Sequence, residues 1–342
     1  MRPIVYDRAD DLAQAVRLGA QSGQGQTDAP VQFLAGGTSL LDLMKLDVLT
    51  PERVVDITPL RASHGAIEMG PEGLRLGAFA RMSAAARHRA ILAEYPAIAE
   101  SLQLAASAQL RNMATLGGNV LQRTRCSYYR DTSWAACNKR NPGSGCTAIT
   151  GVNRNHAVLG VDQSCISQSP GDLGVALAAL DAQVELNGPE GVRLIPFSTL
   201  HRLPEGQPHI ETTLMPGEII VAFYVPAGGW TSRSVYLKIR DRASYEFAIA
   251  SAAVALEMDG DRVREARVGL GGMAYRPWRS HEAEAVLTGK PMTEANAEAA
   301  AAAALNGAVT HGGNGYKPEL GRRTLVRALM QARAMPIKTA EK

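Results

Sequence analysis

At 342 residues the chain is long enough for two or three packed subdomains. A hydrophobic fraction of 46% and a charged fraction of 20% are those of an ordinary soluble protein, and a net charge of +3 is too small to make nucleic acid the main partner. No apolar run approaches the ~20 residues of a membrane span.

In chain order, Ile4 to Tyr6 reads as a short strand and residues 9–19 as a helix, with Leu12, Ala13 and Val16 at helical spacing behind Asp10 and Asp11 as caps. A polar loop covers 21–28. Val31-Gln32-Phe33-Leu34 is a strand signal, followed at once by Ala35-Gly36-Gly37-Thr38-Ser39 and a helical run through Leu40 and Leu41. Strand, glycine turn and helix start are the parts of an anion cradle: glycines allow close approach, free N–H groups point at phosphate, and hydroxyls add donors. The same turn also suits a plain chain reversal, and it matches neither the Rossmann fingerprint nor the Walker loop. A strand over 54–57 completes a βαβ unit.

Residues 67–69 and 74–77 alternate as a hairpin. Helices are predicted over 83–93, with Ser83 as cap, and over 97–108. Thr115-Leu116-Gly117-Gly118-Asn119 then sets a second glycine pair beside a hydroxyl and an amide. Further on, Ser169-Pro170-Gly171-Asp172-Leu173 leads into a short helix over 174–180, where Asp172 suits a helix cap as well as a ligand. Strands follow at 183–186 and 193–197 around Asn187-Gly188, and at 218–225, ended by Pro226. A boundary falls at 226–230. Beyond it, strands over 234–240, 249–258 and 263–270 form an antiparallel sheet, and alanine-rich helices cover 293–305 and 324–334. His311-Gly312-Gly313-Asn314 reads as a connecting loop, because no second His or carboxylate keeps ligand spacing with it.

All four cysteines, Cys126, Cys137, Cys146 and Cys165, lie between the second glycine pair and Asp172. Confined to one polar stretch, they look like one binding site rather than scattered core residues. Structural zinc usually takes cysteines in close pairs, unlike these wide intervals. Disulfides need an oxidising compartment, and the chain starts with no apolar signal core, but export of the folded chain on a partner's signal would keep them open. An iron–sulphur cluster fits best, since four thiolates complete one cubane's shell and an irregular loop tolerates wide spacing. The basic excess nearby (Arg123, Arg125, Arg130, Lys139, Arg140 and Arg154 against Asp131) would stabilise such a cluster's negative charge. Zinc, and four unligated thiols in a solvated basic loop, stay open as alternatives.

Taken together, Ala35-Gly36-Gly37-Thr38-Ser39-Leu40, Ala114-Thr115-Leu116-Gly117-Gly118-Asn119, Ser169-Pro170-Gly171-Asp172-Leu173 and Tyr236-Leu237-Lys238-Ile239-Arg240 resemble the ordered FAD signatures of the flavoprotein subunits of molybdenum hydroxylases. Their order and spacing carry the resemblance. The cysteine stretch, through Arg123-Thr124-Arg125-Cys126, Ala136-Cys137-Asn138-Lys139-Arg140 and Pro142-Gly143-Ser144-Gly145-Cys146, is similar to that of the FAD subunits of bacterial periplasmic aldehyde oxidases, which carry an added [4Fe-4S] cluster there. The implied fold is α+β: FAD subdomains over 1–57 and 58–228, the latter with an iron–sulphur insertion at 120–170, then a C-terminal antiparallel sheet with helices over 229–342.

The resemblance implies that Ala35 through Leu41 wrap the pyrophosphate and ribityl chain, and that Thr115, Gly118, Asn119 and Gln122 contact FAD from the second subdomain. Asp172 would accept hydrogen bonds from cofactor hydroxyls, Lys238 would lie near the flavin's carbonyl edge, and Ile220 or Val221 would sit against the isoalloxazine. It further implies an electron-transfer subunit of an aldehyde oxidoreductase, fed by a [2Fe-2S] small subunit and a molybdenum-cofactor large subunit where the substrate reacts. No catalytic residue is expected in this chain. Export to the periplasm would depend on the small subunit's signal; the missing signal read literally means cytoplasm. Rival readings are a zinc-stabilised scaffold and a self-sufficient flavin oxidase.

Overall fold

In the computed structural model, residues 2–21, 26 and 29–336 are described. Most of the polar loop expected at 21–28 lies outside them. Three parallel strands, β1 (Val5–Arg8), β2 (Val31–Leu34) and β3 (Arg53–Asp56), form the first sheet in the order β1-β3-β2. The central strand carries the buried Val54 and Val55. A helix over Leu12–Gly19 precedes β2, capped as expected by Asp11, which accepts from Gln14 N at 2.7 Å. The crossover from β2 to β3 runs through the glycine turn and a short helix, Leu40–Lys45.

The second sheet is antiparallel: β4 (Ile67–Gly70), β5 (Gly73–Gly77), β6 (Gln183–Gly188), β7 (Gly191–Pro196) and β8 (Ile219–Pro226), in the order β4-β5-β8-β6-β7. The continuous apolar run of β8 suits its central place, buried on both faces. In the third sheet β9 (Ser234–Ile239), β10 (Ala250–Asp259), β11 (Arg262–Gly271) and β12 (Trp278–Arg279) are antiparallel neighbours in that sequence. Helices Glu294–Ala304 and Lys317–Ala334 share its hydrophobic core. The α+β class and the C-terminal sheet with helices thus appear as expected. Among the described residues no helix is long and apolar enough to cross a membrane.

Several local expectations are corrected. The helix expected over 83–93 is two, Met82–Ala85 and Arg89–Glu94, with Ser83 inside the first rather than capping it. The break lets Ile91 as well as Met82 and Ala85 reach the core. The next helix stops at Leu104; Ala106 takes a left-handed φ of 49°, and Ser107 caps a new helix, Ala108–Met113. Strand β6 runs on through Asn187 and Gly188 and β7 starts at Gly191, so the turn is at Pro189 and Glu190, where proline presets the turn and Gly191 supplies a φ of 99°. The last helix begins seven residues early, at Lys317, with Pro318 in its first turn, and Ser280 caps a helix, His281–Leu287, that the pattern did not reveal.

The cysteine stretch is irregular apart from two single turns, Ser127–Arg130 and Thr147–Ile149. It is stitched onto the third sheet, because Val158 and Leu159 join the core beneath that sheet and both donate backbone hydrogen bonds to Met273 O, at 2.7 and 3.1 Å.

Candidate functional site

Strand β2 delivers the chain into residues 35–39, where Gly37 adopts a φ of 75°. Among the described residues, the backbone N–H groups of 36–39 donate to nothing, and the hydroxyls of Thr38 and Ser39 have no partner. Gly36 is required for a different reason: a Cβ there would stand 2.4 Å from Met113 O and 2.9 Å from Ala114 Cα. Two glycine motifs remote in sequence are therefore packed backbone to backbone. In the second, Thr115 caps the short helix Leu116–Val120 by accepting from Gly118 N at 3.2 Å.

These loops open onto one groove of about 330 Å³, room for a sizeable organic ligand rather than a single ion. Of the residues singled out from the sequence, Ala35, Gly36, Gly37, Thr38, Ser39, Leu40, Thr115, Gly118, Gln122 and Ile220 line it. Four do not. Leu41 is 41% exposed on the helix beyond the turn. Asn119 lies between the lining residues Gly118 and Leu121, and its Oδ1 is buried with no partner among the described residues. Such an orphaned acceptor fits a missing donor.

Asp172 and Lys238 engage each other instead. Lys238 Nζ donates to Asp172 Oδ2 at 2.8 Å with both side chains at most 3% exposed, and Tyr236 OH donates to Asp172 Oδ1 at 2.6 Å. Tyr236 and Lys238 are two apart on β9, so they share the face that meets the helix Asp172–Ala179. Asp172 is the first residue of that helix, with Gly171 as cap, and its charge favours the positive helix end. Burial, then the Asp172 carboxylate, pushes the Tyr236 hydroxyl well above its ordinary value.

A polar cluster not anticipated from the sequence also lines the groove. Lys139 Nζ donates to Glu211 Oε1 at 2.5 Å and to Tyr275 OH at 2.8 Å, while Arg123 pairs with Glu211. Burial opposes the Lys139 charge, but Glu211 and Tyr275 outweigh it and hold the ammonium above the usual lysine value. Glu211 stands in irregular chain with no motif around it, so no sequence signal could have found it. His201 lines the same groove, donating from Nε2 to Val120 O at 3.1 Å.

The four cysteines surround a second, much smaller pocket, with Tyr128 and Tyr129 in its wall. All four are free thiols. Cys137 and Cys146 face each other across an isolated antiparallel bridge closed by the 141–145 turn, in which Gly143 and Gly145 take φ of 85° and 95°. Cys165 is placed by an Asp162 turn whose Oδ1 accepts from Ser164 N and Cys165 N. His156 Nε2 lies 3.2 Å from Cys126 Sγ. Burial pushes the Cys126 thiol up to about 12. Cys165 is drawn below the ordinary thiol value by the hydrogen bond from Cys146 and by the charge of Lys139. Among the described residues no three His, Cys, Asp or Glu are grouped so as to hold a metal ion, so the side chains as they stand preform neither a zinc tetrahedron nor a cluster seat.

The basic excess of this stretch is largely spent elsewhere. Arg125 and Arg130 donate to Asp42 of the helix after the glycine turn, Arg154 to Asp241, and Arg140 to the carbonyls of Tyr128, Tyr129 and Trp134. Acids distant in sequence neutralise most of the charge that looked aimed at a cluster.

Residues 2–228 match the family described as the FAD binding domain in molybdopterin dehydrogenase, and residues 235–332 match the CO dehydrogenase flavoprotein C-terminal domain. The chain is similar to the aldehyde oxidoreductase FAD-binding subunit PaoB of Escherichia coli K12, 43% identical over 98% of this chain and 99% of the relative. It is also similar to the carbon monoxide dehydrogenase medium chain of Afipia carboxidovorans, 29% identical over 96% of each chain. A solved structure, reconstituted CO dehydrogenase from Oligotropha carboxidovorans, superposes with a TM-score of 0.74 at 25% identity, over 97% of this chain and 98% of the other.

Proposed function

The chain belongs to the FAD-binding family of molybdopterin dehydrogenases, and on that premise we propose that it is the flavoprotein subunit of a molybdenum-dependent aldehyde oxidoreductase. It is an oxidoreductase subunit rather than the site of substrate chemistry. The observation that carries the reading is the groove itself: two glycine motifs from separate parts of the chain, held together through Gly36 and Met113, line one open space, and the first offers it backbone N–H groups, those of 36–39, with no partner among the described residues. Residues 36–39 would hold the pyrophosphate and ribityl chain, Gly118, Asn119 and Gln122 would hold the cofactor from the opposite side, and Ile220 would give the ring an apolar seat. Residues 1–57 and 58–228 supply most of this site's wall, and the 229–342 domain that follows adds Tyr275 and Arg276 to it. Bound FAD supplies the exchange of one electron with clusters and two with a terminal acceptor.

The partners in this reading are a molybdenum-cofactor large subunit and a [2Fe-2S] small subunit. Cys126, Cys137, Cys146 and Cys165 are the ligands of a [4Fe-4S] cluster, a reading supported by their common pocket and by the buried Tyr128 and Tyr129 in its wall. Seating a cube there requires the Cys146 to Cys165 contact to open. Export in folded form on the small subunit's signal follows from the resemblance to the periplasmic enzymes; fractionation with that signal deleted should leave the chain in the cytoplasm.

Gly36→Val tests the groove. It should lose bound FAD, read by absorbance after denaturation, while the chain still co-purifies with its partners; full flavin content would overturn the reading. Iron and sulfide assay tests the ligands: wild-type protein should hold both and Cys137→Ser should not, whereas unchanged iron in that variant removes Cys137 from the ligand set. Aldehyde turnover by the isolated chain would overturn the electron-transfer role.

A further inference from the structure

Lys139 and Ser167 line both the groove and the cysteine pocket. These two residues are a wall common to both spaces. Lys139 stands two positions after Cys137 in the cysteine stretch and is 2% exposed, yet its ammonium serves the groove side. It is anchored by Glu211 at 2.5 Å, Tyr275 OH at 2.8 Å and Pro208 O at 3.1 Å. Glu211 in turn pairs with Arg123, and Arg123, Glu211 and Tyr275 all face the groove. The backbone around Lys139 is set by the cysteines: Arg140 N and Asn141 N donate to Cys137 O at 3.0 and 2.7 Å, and Asn138 N donates to Gly145 O at 2.8 Å beside Cys146.

We propose that Lys139 couples the two sites, its strut from the cysteine stretch closing the groove wall so that FAD binds more tightly when the cysteine pocket is loaded. This rests on the reading that FAD occupies the groove and that the cysteines hold an iron–sulphur cluster. The physical requirement for coupling is a contact that differs between two states. A loaded pocket ties Cys137 and Cys146 to one rigid body and fixes the backbone that aims Lys139. An empty pocket leaves that backbone to the loop's own hydrogen bonds. Withdrawal of the ammonium would leave Glu211 buried with Arg123 alone and open the wall to water. Linkage is reciprocal, so bound FAD must also retain the metal.

The test uses the full chain in its complex, with FAD dissociation constants from flavin fluorescence and metal content from iron assay. Lys139→Met should weaken FAD binding about tenfold, within the usual range of coupling between sites, while iron stays. Cys137→Ser should lose iron and weaken FAD by a similar factor. The double variant should bind FAD no more weakly than the weaker single variant, because both changes break one linkage. Independent, multiplying losses would overturn the proposal, as would unchanged FAD affinity in Lys139→Met. Should Lys139→Met fail to fold, chelation of wild-type protein decides: excess FAD should slow iron loss, and an FAD-independent rate overturns the coupling. Wild-type protein without iron would sink the cluster reading itself, whereas iron present with no effect on FAD would sink only the coupling.

Discussion

The glycine-lined groove and the buried Asp172–Lys238 pair both stand where the sequence pattern expects cofactor contacts, yet they treat polar groups in opposite ways. The N–H groups of residues 36–39 in the groove, and the Asn119 oxygen beside its wall, have no partner among the described residues. Around Asp172 both carboxylate oxygens are taken, one by Lys238 and one by Tyr236, and Lys238 donates further to Leu104 O at 3.1 Å. A buried polar group left unsatisfied points to a ligand; one already satisfied holds the fold. The Asp172 and Lys238 side chains, on this comparison, tie the helix Asp172–Ala179 to β9 and shape the site from behind.

The sharpest way to break that comparison is Asp172→Ala. It strands the Lys238 ammonium in the interior and should cost about 3–5 kcal/mol of stability, the usual loss when one partner of a buried pair is removed. Asp172→Leu with Lys238→Met should recover most of it. Urea unfolding measures both; a variant that keeps its stability and loses only FAD would return Asp172 to the cofactor site.

His201 shares features of both regions, with Nε2 spent on Val120 O and Nδ1 without a partner among the described residues. Burial pushes its imidazole down to about 4. The unfolded chain takes up a proton near pH ~6.5 that the folded chain refuses until about pH 4, so stability is full above the first value and falls as pH drops between them. The limit is on the order of 3 kcal/mol. Unfolding free energies at pH 7 and pH 4 should show His201→Asn lacking this share of the acid loss.

Asn119→Ala should have the smallest effect and the clearest sign. FAD affinity should fall by about 1 kcal/mol, roughly fivefold, while the stability of flavin-free protein holds or rises because an unsatisfied acceptor has gone. Lower stability with unchanged flavin affinity would make Asn119 a structural residue like Asp172.

Much of the fold was legible from local pattern. Strands β2, β4, β5 and β8 to β11, the Asp11 cap and the two glycine turns follow from alternation, turn residues and capping chemistry. The breaks within 82–94 and 96–113 were not legible, because helix periodicity does not reveal where the core asks the chain to turn. Ten of the fourteen proposed cofactor residues line the groove, those being mainly backbone-defined glycines and their neighbours. Those that do not include Asp172 and Lys238, whose charges could serve a ligand or each other, and spacing does not distinguish the two.

By itself the sequence determined most of the strands, the glycine positions that allow close backbone approach, and the confinement of four thiols to one stretch, since these depend on neighbours a few residues away. Only the tertiary structure decided which charges meet. Asp42 claims Arg125 and Arg130, Glu211 claims Lys139 and Arg123, and Asp172 claims Lys238. Each pairing joins residues between 66 and 88 positions apart. A buried charge takes the nearest opposite charge in space, and spatial order is set by how sheets and loops pack.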